Sequence, residues 1–85
     1  MYRIEVDDDV ADQIAALPAV ALPGLLELVD LLTIDPRAAG EPYHASRPDG
    51  GMRDHTFGPD AHGLLITLLD EPGRRVLLVC ALWIG

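Results

Sequence analysis

The run Val76–Ile84, VLLVCALWI, is the longest uninterrupted apolar stretch in the chain. A membrane-crossing helix needs about 20 such residues, so this segment is too short to be one. It reads as a strand over 75–84. Val76, Leu78, Cys80 and Leu82 then fall on one side, and Leu77, Val79, Ala81 and Trp83 on the other. Leu64–Leu69 is likewise apolar on both sides. Strands of this kind have to be covered on both faces. That is a severe demand on a chain of 85 residues, which buries only about 60–65% of its extended surface and holds one small core.

The rest of the chain supplies cover for one face. Tyr2, Ile4 and Val6 alternate with Arg3 and Glu5, the pattern of a half-buried first strand. Asp7, Asp8 and Asp9 suit a helix N-terminus, by capping and by charge. Val10, Ile14 and Leu17 form one helical stripe, and Pro18 ends it. Leu25, Leu28, Val29 and Leu32 form a second stripe, with Pro23 near its start and Asp35-Pro36 at its end. Residues 36–51 read as a loop, long for a compact domain. Met52–Phe57 and Leu64–Leu69 read as strands joined by a turn over 58–63. Glu71-Pro72-Gly73-Arg74 has the Pro-Gly order of a type II turn. The expected fold is a single α+β domain over residues 1–85, ordered β-α-α-β-β-β, with a helical hairpin on one face of a mainly antiparallel sheet. Two short helices cover one face, so the other is expected to meet a second chain or stay a bare apolar patch.

Charge narrows the partners. The net charge is −8, all six basic residues are arginine, and residues 1–35 carry eight acids against Arg3. A freestanding nucleic-acid binder carries a basic footprint, and this chain does not. A basic protein segment is the better complement to the acidic first half. The single cysteine, Cys80, leaves no internal disulfide and no cysteine-based zinc site. The acidic start MYRIEVDDD does not look like a signal peptide, so cytoplasmic residence without membrane association is the expectation.

The order of segments MYRIEV, DDDVADQIAALP, LPGLLELVDLL-TIDP, AGEPY, MRDHTFGP and GLLITLLDEPGRRVLLVCALW resembles the RelE/ParE superfamily of bacterial toxin–antitoxin modules. The resemblance covers nearly the whole chain and rests on order and spacing, not on one motif. It implies a small toxin neutralised by a cognate antitoxin laid over sheet and helices. It also implies either mRNA cleavage at the ribosome or action on gyrase. The chain departs from the nuclease members. Arg53 stands on the second long strand, but His62-Gly63-Leu64 holds no arginine where the next strand starts. Leu82-Trp83-Ile84-Gly85 holds none of the terminal Tyr, His or Arg of many nucleases.

The polar residues cluster at 43–62. RNA cleavage by 2′-OH attack needs a base, an acid and a cation near the phosphate. Arg53 and His55 alternate with Asp54 and so share a strand face. Arg53 is then the candidate phosphate clamp and His55 the acid–base candidate, with His44 and Arg47 as further candidates for the catalytic set. The competing reading makes these solvated loop and strand residues on a non-catalytic interaction module. A metal set from His44, His55, His62 and Asp60 matches no standard spacing, and no cofactor or metal is expected. The partners expected are an antitoxin, mRNA or the ribosome, and a second copy of the chain; the uncovered face is expected to lie against either an antitoxin segment or that second copy, with Trp83 as the anchor.

Overall fold

A computed structural model describes residues 1–44, 46–47 and 49–85; Ala45 and Pro48, within the expected loop, lie outside the described residues. Strand β1 (Arg3–Val6) leads to helix α1 (Asp8–Ala15), a 3-10 turn at Ala19–Ala21 and helix α2 (Leu22–Ile34). Strands β2 (Glu41–Pro42), β3 (Met52–Phe57), β4 (Gly63–Asp70) and β5 (Arg75–Trp83) follow. The fold is α+β: among the described residues, two α-helices and a five-stranded mixed sheet of order β1-β5-β4-β3-β2. β1 runs parallel to β5, and every other neighbouring pair is antiparallel. The expected element order is present, with the two-residue β2 added inside the segment read as loop.

Local chemistry explains the element ends. Asp7 caps α1, its Oδ1 accepting from the Val10 N–H at 2.9 Å, and Asp8 and Asp9 sit in the first turn. Leu17 falls beyond the helix yet still packs on the core with Ile14. α2 buries Leu25, Leu28 and Leu32, with Val29 beside them. Its start lies so close to the β3–β4 turn that a Cβ on Gly24 would stand 2.7 Å from the Gly58 nitrogen. The core joins both helices to the inner sheet face through Leu65, Leu69, Val76, Leu78 and Ala81. Burying a Leu or Val side chain stabilises by about 1.5–3 kcal/mol, so this layer supplies most of the favourable energy.

Two expectations change. The β4–β5 register places Ile66 opposite Cys80 but Thr67 opposite Leu78, leaving Val79 as an extra residue, a β-bulge. The bulge reverses the alternation within β5. Val76 and Leu78 face inward, and so do Ala81 and Trp83, while Leu77, Cys80 and Leu82 face outward. The two uninterrupted sets expected from sequence do not form. Trp83 packs beside Phe57, ring centroids 6.4 Å apart, so it belongs to the inner layer. The hairpin tip also differs. The Arg74 N–H reaches the Glu71 carbonyl at 3.1 Å, but the left-handed residue is Arg74 (φ 50°), not Gly73. Arg74 lies 5.1 Å from the Tyr2 ring centroid, a cation–π contact.

Candidate functional site

β3 sends Arg53, His55 and Phe57 to one face, as alternation requires, and that face is the inner one. Arg53 is 8% exposed and His55 2%. The guanidinium of Arg53 donates from Nε to the Ala39 carbonyl (3.3 Å), and from Nη2 to the Ala39 and Gly40 carbonyls (3.0 Å each). It thereby ties the strap after α2 to the sheet. Gly40 takes φ +75°, and a Cβ there would collide with the His55 ring and the Asp54 carbonyl. Glycine is what lets the strap close over the imidazole. A second tie lies further along: Arg37 pairs with Glu71 at 2.6 Å and reaches the Asp49 carbonyl at 3.5 Å.

His55 Nε2 lies 3.0 Å from Thr67 Oγ1 on β4, whereas Nδ1 is buried with no hydrogen-bond partner among the described residues. A proton on Nε2, donated to Thr67, leaves Nδ1 a bare lone pair; the other tautomer would strand a buried N–H, which costs more. Burial first, then the adjacent Arg53 charge, lowers the His55 pKa from the ordinary 6.5, against an opposing pull from Asp54. These influences favour the neutral form of the buried ring. Thr67 was not among the residues singled out from sequence, although it is the only polar residue in Leu64–Leu69.

The other two candidates lie elsewhere. The Tyr43 N–H bonds the Met52 carbonyl at 2.9 Å, so His44 falls past the start of β3 while His55 lies inside it. His44 is exposed and meets Tyr43 edge-on, with centroids 5.0 Å apart. Arg47 is exposed, its backbone N–H on the His44 carbonyl at 2.9 Å. Among the described residues no hydrogen bond joins His44 or Arg47 to Arg53 or His55. His62 stands at the far end of the sheet, edge-on to Trp83 at 5.8 Å. Among the described residues no three His, Cys, Asp or Glu side chains are placed to hold a metal ion.

No protein-family model matches the chain, and no curated protein matches it.

The outer sheet face carries the other chemistry. Its rows, read from the register, run Thr56–Leu64–Leu82, then Asp54–Ile66–Cys80, then Met52–Leu68–Leu77–Glu5, and end at Asp70–Arg75–Arg3. The centre is apolar and the rim charged. Both helices pack on the opposite face, and Leu68, Val79 and Leu82 are 39, 43 and 44% exposed. At the rim, Arg75 binds Asp70 at 2.8 Å and Glu5 at 3.3 Å. The Asp70 carboxyl is held below its ordinary range by its hydrogen bond to Arg75, then by the Gly73 N–H. Among the described residues no single helix is long and apolar enough to cross a membrane.

Proposed function

We propose that the chain is a RelE/ParE-like toxin component, or a relative derived from one, that acts by binding a cognate antitoxin protein across its bare sheet face. The carrying observation is that face: an apolar centre on β4 and β5, left open by both helices, with a mixed-charge rim. Sheet faces of this kind are covered in stable proteins, and an uncovered one marks an interaction surface. The occupant is an apolar protein segment carrying Lys or Arg, because a second copy would bring another net charge of −8. The element order with both helices on one face is in keeping with the family resemblance.

Binding is favoured over catalysis by the state of the candidate catalytic pair. Arg53 already serves two carbonyls of its own chain, and His55 lies under the strap. A phosphate reaches neither without displacing Ala39–Gly40. The test is co-expression with the protein encoded by the adjacent gene. A defined complex should form on size-exclusion light scattering, and Ile66→Arg should abolish it while leaving the circular dichroism of the isolated chain unchanged. A complex that survives Ile66→Arg rules out this face. Growth arrest by the chain alone, relieved by the neighbour, supports the toxin reading; no arrest moves the assignment to the non-catalytic interaction module. Arg53→Ala does not separate these readings, since it also unties the strap.

A further inference from the structure

β1 pairs with β5 only from Arg75 to Leu78, opposite Arg3–Val6. β5 continues to Trp83 with β4 on one side and, among the described residues, no strand on the other. Val79–Trp83 is thus a free strand edge in the middle of the order of elements, directly in line with β1. Free edges offer unpaired backbone groups to any extended chain, and folded proteins screen them. Here the screen is one side chain. Gln13 of α1 places Oε1 2.8 Å from the Ala81 N–H and accepts its hydrogen bond. A side-chain carbonyl occupies the position that a strand carbonyl would take.

Beside this contact lies a groove of about 270 Å³, lined by Gln13, Ala16, Leu17, Ala81, Leu82 and Trp83. Apart from Gln13 the side chains that line it are apolar, and Ala16 is small. Asp9 lies one turn before Gln13 on the same helical stripe, and Asp12 lies next to that stripe; both are exposed. No basic residue occurs between Arg3 and Arg37. The groove thus sets apolar side chains beside Gln13, and the helix that forms one wall carries exposed acids and no base.

We infer that the free edge of β5, Val79–Trp83, docks an extended segment of a partner protein by strand addition, and that Gln13 is a placeholder the incoming backbone displaces. Main-chain bonds give such docking its affinity, and alternate side chains give its selectivity. The segment has small apolar residues at alternate positions, to fill the groove, and Lys or Arg at its flanks, to meet Asp9 and Asp12. A second copy of this chain lacks that charge. The inference rests on the reading of the chain as a protein binder and specifies the partner's chemistry.

The test uses the full chain and a capped synthetic peptide, Lys-Val-Thr-Val-Thr-Val-Lys. Titration should give a saturable change in the fluorescence of Trp83, the only tryptophan. The Ala81 and Trp83 amides should shift in NMR spectra and exchange more slowly. A peptide N-methylated at alternate residues, which cannot bond the edge, should not bind, and a Glu-flanked peptide should bind more weakly. Gln13→Ala removes the competing acceptor and should tighten binding about two- to tenfold, the worth of one net hydrogen bond. Gln13→Met, which keeps the side-chain length, should do the same. The inference fails if the peptide does not saturate the folded wild type or either variant, or if the N-methylated peptide binds equally well. A chain that binds its partner through Ile66 but ignores the peptide defeats this inference alone; one that does neither defeats the binding reading as well.

Discussion

His55 shows how one residue can carry a catalytic signature in sequence and a structural role in the fold. An alternating Arg-Asp-His strand is legible as a shared face, and Arg53 and His55 do share one. Which face it is depends on the helices and the strap, and no residue of Met52–Phe57 encodes that. The buried imidazole has a pH consequence. Its folded pKa lies below the unfolded value of about 6.5. Above 6.5 the ring is neutral in both states, and stability does not depend on it. As pH falls through 6.5, the unfolded chain takes up a proton that the folded chain resists, so stability declines until the folded pKa is reached. Urea titrations between pH 7.5 and pH 5 should show this decline, and His55→Gln should remove its part of it. An unchanged pH profile in that variant would mean that His55 titrates freely. Thr67→Val should cost about 1–3 kcal/mol by leaving Nε2 unpaired. Gly40→Ala should cost at least as much, through positive φ and collision with the ring.

At the scale of elements, the strongly periodic pieces were legible. The stripes of α1 and α2, the strand at Met52–Phe57 and the hairpin of β4 and β5 all follow from apolar spacing and turn residues. The bulge at Val79 was not, because an apolar run carries no mark of where a residue drops out of register. β2 escaped for a related reason: two residues held by pairing to Arg53 and Asp54 have no period of their own. Deleting Val79 tests the bulge. Without it, β5 alternates regularly from Val76 to Trp83, with Leu78, Ala81 and Trp83 still inward, Cys80 and Leu82 still outward, and the register with β4 and β1 kept. A cooperative thermal transition should therefore survive the deletion. Loss of that transition would show that the bulge itself is needed to seat β5.

At the scale of the molecule, apolar surface remains on both sides of the domain. The outer sheet face is open, and α2 leaves Leu26 and Ile34 exposed on the other side. The sequence argument for an uncovered face held because it counted faces against helices, which register does not affect. Which residues occupy that face did depend on register. Since Leu68 and Leu82 are already partly exposed, replacing both with Thr should change stability little, within roughly 1 kcal/mol in total. It should also reduce concentration-dependent light scattering by the isolated chain. A large fall in melting temperature would mean that the chain itself buries these side chains.

The parallel pairing of β1 with β5 also sets an order of events. Glu5 and Arg75, which meet across it, are 70 residues apart in sequence. β5 lies between β1 and β4, so β1 has no strand neighbour until β5 arrives. Closing so long a loop is entropically costly before its contacts form. On a ribosome, β1 and both helices emerge well before the strand that completes their core. Their apolar stripes stay unburied until β5 has emerged, and folding waits for it. A partner present during synthesis would meet this chain first as an unfolded polypeptide.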